Sequence, residues 1–182
     1  QIASISFMVP MGLSQAATVR VGIAFGAGDA DAIRRAGWSA YMLGVAFMAM
    51  TALIMITWPT ALIGVFIDAT DAANAPVVQL AVTFLAFAAL FQIADGAQAV
   101  GSGKLRGLHD TTMPMIYAAV GYWGIGMPLG ALLAFRYGFA GAGIWTGLSV
   151  GLAVVALLLL ARWLRRDRIL ARAARQGAFV VR

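Results

Sequence analysis

The sequence predicts an all-α membrane protein with about five transmembrane helices. Of the 182 residues, 62% are hydrophobic and only 11% are charged, whereas a soluble domain is about half apolar and about a quarter charged. The apolar residues form five long runs, and a helix of about 20 residues crosses a bilayer. The 21 glycines agree with this class, because glycine is commoner in membrane helices than in soluble ones. The chain has no cysteine, which excludes disulfides and thiol chemistry.

The five predicted spans follow one another with short connections. They run over Gln1 to about Phe25, Gly37 to about Thr60, about Pro76 to about Gly101, Pro114 to about Phe135, and Ala140 to about Trp163. We therefore expect residues 1–163 to form the transmembrane part and residues 164–182 a basic cytoplasmic tail. The tail is able to form a short helix on an anionic membrane surface. Because the chain begins at Gln1 inside an apolar stretch without a charged leader, we expect a fragment of a longer chain and no signal peptide.

Tryptophan positions support the second and fifth spans. Trp38 and Trp58 are separated by roughly 30 Å of helix, and Trp145 and Trp163 by roughly 27 Å. Indole rings favour the headgroup level of a bilayer. We therefore expect each pair to mark the two membrane interfaces.

Basic residues are distributed unequally between the two sides of the predicted bundle. Twelve of the thirteen lie on one side, and the other side has only Arg136. The twelve are Arg20, Arg34, Arg35, Lys104, Arg106 and the seven arginines from Arg162 to Arg182. By the positive-inside rule the first and third loops and the C-terminus are cytoplasmic. The net charge of +6 then indicates contact with anionic lipid, and no nucleic-acid partner is predicted.

Two glycine stripes predict close helix packing. Glycines repeat every fourth residue in the fifth span (Gly143, Gly147, Gly151) and in the fourth (Gly126, Gly130). Such stripes allow two membrane helices to approach through their backbones. Pro10 and Pro128 lie inside spans and are expected to kink them.

Asp95 is the acidic residue that lies well inside a predicted span. Gln92 precedes it by one turn and Gln98 follows it on roughly the same face. A charge in hydrocarbon is costly, so the carboxylate must face a partner or water. Three interpretations are open: Asp95 binds a coupling cation or proton, it pairs with Arg20 or Arg106, or it is an acid at the membrane interface.

Weaker candidates lie on two other helices. Gln15 belongs to a polar patch on the first span, where such side chains usually bond within or between helices. For Tyr122, in the fourth span, two interpretations are open: it lines a cavity for an aromatic or cationic ligand through cation–π contact, or it packs against a neighbouring helix. No metal cluster, phosphate loop or nucleophile–base arrangement is visible in the sequence, so neither an enzyme nor a cofactor is predicted.

Three motifs resemble the multidrug and toxic compound extrusion (MATE) family, in its NorM-type branch. The first is Pro10–Gly22 with Gly26–Asp29 after it. The second runs from Phe91–Gly96 through Gly103–Gly107 to Asp110, and the third is Tyr122–Gly130. They occur in the order and at the spacing of that family, and the resemblance covers essentially the whole chain.

The resemblance implies a fold and an activity. Proteins of this family have twelve helices in two six-helix lobes and export organic cations and drugs in exchange for Na⁺ or H⁺. This chain would be most of the C-terminal lobe of such an antiporter, in a bacterial inner membrane. Its partners would be the lipid bilayer, cationic or amphipathic drugs, and the missing N-terminal lobe of the same chain.

The resemblance also implies a role for Asp95. The acid of the second motif maps to Asp95, which makes it the cation-coupling residue and a candidate Na⁺ ligand. A second acid of the branch would lie on a helix before Gln1. We expect antiport by alternating access, and the alternatives are a flippase for lipid-linked sugars or a membrane scaffold of a larger complex.

Overall fold

A computed structural model describes residues 1–68 and 71–175, and these residues are almost entirely helical. Five helical segments of the described chain are long and apolar enough to cross a membrane. They are Ile2–Gly26, Ala30–Thr57, Ala72–Gly107, Thr112–Arg136 and Ala140–Leu164. The predicted all-α membrane architecture is confirmed, with one segment for each predicted span.

The elements follow in chain order. They are α1 (Ile2–Gly26), α2 (Ala30–Thr57), the short α3 (Pro59–Gly64), a 3-10 turn (Ala72–Asn74), α4 (Ala75–Gly107), α5 (Thr112–Ala119), α6 (Met127–Ala131), α7 (Ala140–Leu164) and α8 (Arg166–Arg175). Two π-helical segments, Val120–Gly126 and Leu132–Arg136, flank α6 and make the fourth span one continuous helix of mixed pitch. Pro128 lies at the start of α6, and its missing N–H leaves the preceding turn one hydrogen bond short.

Helix α4 lies at the centre of the bundle. It packs against α1, α2 and α7, while the Thr112–Arg136 segment packs mainly on α7. A buried apolar cluster joins these helices near one end; it includes Val21, Ile33, Leu105, Leu159 and Trp163. The faces of α4 that are turned toward α1, α2 and α7 are therefore covered by protein.

Gly28 and Asp29 each have a structural role in the turn between α1 and α2. Gly28 adopts φ 70°, a left-handed conformation that glycine takes without steric cost. The Asp29 N–H then donates to the Ala24 carbonyl at 3.0 Å, which ends α1. The Asp29 carboxylate accepts from the Ala32 N–H at 2.8 Å and caps α2.

The two glycine stripes face each other, as their spacing predicts. A Cβ added at Gly147 would collide with the backbone of Gly130 and come within 2.6 Å of the Gly126 oxygen. One added at Gly151 would lie 2.5 Å from the Gly121 oxygen. The two helices thus meet backbone to backbone, a contact that any side chain would prevent.

Several predicted boundaries and positions are wrong. Helix α2 begins at Ala30 instead of Gly37, and α4 continues to Gly107 instead of Gly101, so Lys104 lies on a helix and not in a loop. Trp163 is fully buried within the bundle, whereas Trp58 is 61% exposed. Trp163 is buried because Gly37 leaves room for its ring against α2.

Candidate cation site around Asp95

Asp95 lines a cavity of about 300 Å³ between α1, α4 and α7. The residues that line it are Ala3, Ser4, Phe7, Ala88, Phe91, Gln92, Asp95 and Trp145. Most of these side chains are apolar, so the carboxylate lies in surroundings of low polarity. Such surroundings strengthen the attraction between a carboxylate and any cation that enters.

Gln92 connects this cavity to α2. Its side chain is 1% exposed. The amide nitrogen donates to the Met48 carbonyl at 3.2 Å and to the Thr51 hydroxyl at 3.1 Å. The amide oxygen Oε1 is buried and accepts no hydrogen bond from the described residues. This oxygen is an unsatisfied acceptor, and the residue that carries it lines the same cavity as Asp95.

Aromatic rings form one wall of the cavity. Phe91 and Trp145 meet edge to face, with ring centroids 5.7 Å apart and planes at 87°. This geometry fixes both rings and ties α4 to α7 beside Asp95. The oxygen-bearing side chains of the cavity are Ser4, Gln92 and Asp95. Hydroxyl, amide and carboxylate oxygens are ligands that hard cations such as Na⁺ favour.

The structure does not support the interpretation in which Asp95 pairs with a base. The ion pairs formed by the described residues do not include Asp95. Arg20 lines a separate groove between α1 and α2, and Arg106 lines another with Asp110. The Asp95 carboxylate is therefore without a protein counter-ion in the part of the chain that the structure describes.

Of the other predicted site residues, one lies near Asp95 and two lie away from its cavity. Tyr122 is half-buried in the first π-helical segment and lies within electrostatic range of Asp95. Gln98 is half-buried and Gln15 is exposed, and neither lines the Asp95 cavity. Sequence reasoning missed Ser4, because its place beside Asp95 depends on how α1 packs against α4.

Lys104 occupies an aromatic cage in the last turn of α4. It is 0% exposed, and its ammonium has no hydrogen-bond partner among the described residues. The Nζ atom lies 3.8 Å from the ring centroid of Tyr41, 4.8 Å from that of Trp163 and 5.0 Å from that of Trp38. Because the faces of aromatic rings attract cations, these contacts offset part of the cost of burying the ammonium between α2, α4 and α7.

The comparisons with known proteins agree on the family. The MatE family model matches residues 1–132. The probable multidrug resistance protein NorM of Mesorhizobium japonicum is 68% identical over 169 residues, which are 93% of this chain and 36% of that protein. The multidrug resistance protein NorM of Burkholderia vietnamiensis is 53% identical over 158 residues, 87% of this chain and 34% of that protein.

The fold comparison gives the same result. The crystal structure of the eukaryotic MATE transporter AtDTX14 superposes with a TM-score of 0.84 at 27% identity, over 98% of this chain and 39% of that one. The chain thus spans about a third of the length of the NorM relatives that it matches. Its five apolar helices and its bacterial relatives make it a multi-pass membrane protein. The chain belongs to the MatE family of transporters.

Proposed function

We propose that the protein containing this chain is a secondary active multidrug transporter that exports cationic or amphipathic drugs in antiport with Na⁺ or H⁺. The observation that carries this proposal is the Asp95 carboxylate, which lies in a cavity with two further oxygen-bearing side chains and without a protein counter-ion. Family membership and the multidrug resistance relatives support the substrate class.

The mechanism is electrostatic competition at Asp95. A carboxylate in surroundings of low polarity gains by binding a cation or a proton. When the inorganic ion neutralises Asp95, the site loses its attraction for a cationic drug, and when the ion leaves, the drug is favoured again. Rocking of two lobes would open the cavity to one side of the membrane at a time.

The asymmetry of basic residues supports one orientation in the membrane. Arg34 and α8 lie on the basic side, which we assign to the cytoplasm, and Arg136 lies on the opposite side. Residues 176–182 of the predicted basic tail lie outside the described residues. In this orientation Lys104 is near the cytoplasmic end of α4, and Asp95 is deeper in the membrane.

The proposal is tested by substituting Asp95→Asn in the full-length transporter. Asparagine keeps the size of the side chain but cannot carry the charge. We expect normal insertion and loss of ethidium efflux under imposed Na⁺ and proton gradients. Asp71→Asn removes an exposed acid outside the cavity and should leave efflux unchanged. Efflux at the parent rate by the Asp95→Asn variant, at equal protein level, would reject the coupling role.

A further inference from the structure

A second polar cavity lies where α7 ends. Its volume is about 260 Å³, and it is formed by α5, α7 and α8. The residues that line it are Tyr117, Leu158, Ala161, Arg162, Arg165, Arg168 and Ile169. Three arginines therefore converge on one small cavity, which shares no residue with the cavity around Asp95.

The three guanidinium groups differ in their partners. Arg162 is held in place by Asp110, with its Nε 2.6 Å from one carboxylate oxygen and its terminal nitrogen 3.2 Å from the other. Arg165 and Arg168 are exposed, and no ion pair of the described residues includes either of them. The cavity thus contains one arginine that is paired with a carboxylate and two that no ion pair of the described residues includes.

The chemistry of the unpaired arginines favours a phosphate ligand. A guanidinium group presents a planar fork of donors that matches two phosphate oxygens at once. Arg165 precedes α8 and Arg168 lies in its first turn, and both line the cavity next to the end of the membrane span. An anion between them would meet two charges at once.

The apolar part of the cavity identifies the kind of phosphate. Leu158 and Ile169 line it beside the arginines. Leu157 and Leu164 on the adjoining surface of α7 are 65% and 57% exposed. A free phosphate ion makes no use of such surface, whereas the acyl chains of a phospholipid would cover it. The position at the end of α7, a predicted span, is also the level at which headgroups lie.

The side of the cavity formed by α8 is supported by packing against the bundle. Helix α8 is packed onto the apolar cluster of the bundle through Ile169, Leu170 and Ala173. The Arg166 guanidinium lies 5.6 Å from the centroid of the Trp163 ring, which adds a cation–π contact at the start of the same helix. The packing of α8 therefore sets the backbone positions of the residues that carry the arginines.

We infer that this cavity binds the headgroup of an anionic phospholipid, with Arg165 and Arg168 contacting its phosphate and the exposed leucines of α7 contacting its acyl chains. This inference is independent of the coupling role of Asp95, because the two cavities share no residue.

The test uses the purified full-length transporter and native mass spectrometry. Phosphatidylglycerol and phosphatidylcholine are titrated separately, and the bound lipids are counted. The variant Arg165→Gln/Arg168→Gln should bind phosphatidylglycerol about twenty-fivefold more weakly, because each arginine near an anionic surface contributes about fivefold. Both side chains are exposed, so the variant should fold like the parent.

The matched control is Arg20→Gln/Arg35→Gln, two exposed arginines that no ion pair of the described residues includes. It removes two exposed charges from the same side of the bundle but does not touch the cavity. Tight phosphatidylglycerol binding by the parent and the control, and its loss in the Arg165/Arg168 variant, would establish the site. Equal losses in the two variants would show general attraction to a basic surface and would overturn the inference. So would equal binding of phosphatidylcholine, or displacement of the lipid by millimolar inorganic phosphate.

Discussion

The contact between the two glycine stripes gives the sharpest test of the packing. We consider Gly147→Ala, the smallest substitution that adds a side chain at the centre of the α7 stripe. The new methyl carbon would lie 2.6 Å from the Gly126 oxygen and closer still to the backbone of Gly130. Carbon atoms pack best at about 3.5–4.0 Å, so the two helices must separate by about 1 Å or more. All the nearest atoms are backbone, and no side chain can move away to accommodate the methyl group.

The magnitude follows from two opposing effects. Overpacking of a close-packed interior costs about 1–3 kcal/mol. Replacing glycine by alanine inside a helix returns about 1 kcal/mol through helix propensity. Because the obstructing atoms are rigid, we expect the upper part of the first range and a net loss of about 2 kcal/mol in the free energy of unfolding.

The control is Gly101→Ala, a buried glycine in α4. Its added Cβ would lie 3.4 Å from the Leu159 side chain, which is ordinary contact distance, so alanine should be neutral or slightly stabilising. Thermal melting of the detergent-solubilised full-length protein measures both variants. If Gly147→Ala melts at or above the temperature of Gly101→Ala, the stripes do not form the contact and the packing argument is refuted.

The remaining predictions concern charged side chains outside the Asp95 cavity. Asp110→Asn weakens the bidentate pair with Arg162 and should cost about 1 kcal/mol of unfolding free energy; an unchanged melting temperature would contradict this. Lys104→Met, which keeps sulfur–aromatic contacts in the cage, should change stability by less than about 1 kcal/mol, whereas Lys104→Ala should lose about 2–5 kcal/mol. Equal losses would show that the charge itself is needed. A cysteine at Asp71 should react with an impermeant thiol reagent in intact cells and one at His109 should not, and the reverse result would invert the orientation.

The membrane spans could be predicted because a bilayer imposes a length on every apolar helix. The ends of the helices could not be predicted in the same way. Lys104 looked like the beginning of a loop, since a charge normally ends an apolar run. Its burial depends on rings that α2 and α7 bring to it, and no pattern along α4 reveals them. Asp29 did carry a usable signal for the start of α2, because aspartate is a preferred N-cap residue.

The candidate site also has one part that the sequence predicts and one part that depends on helix packing. Asp95 could be found because a carboxylate inside an apolar run stands out by itself. Gln92 and Gln98 were both placed near it, but at about 100° per residue they lie about 120° apart around the helix. The cavity opens on the side of Gln92 and excludes Gln98. Which side of α4 faces a cavity depends on the packing of α1 and α7, and that packing places Ser4 and Trp145 beside Asp95.

The facing glycines also limit which amino-acid substitutions this protein can accept during evolution. When a bulky side chain appears in an ordinary interior, a neighbour can become smaller and restore the fit. At Gly147 the opposing residues are Gly126 and Gly130, which have no side chain left to reduce. A larger residue there can be accommodated only by moving a whole helix. No single substitution on the opposing helix can therefore restore the packing. Sequence variation in this part of the protein should therefore accumulate on the outward faces of the pair and leave the shared backbone contact untouched.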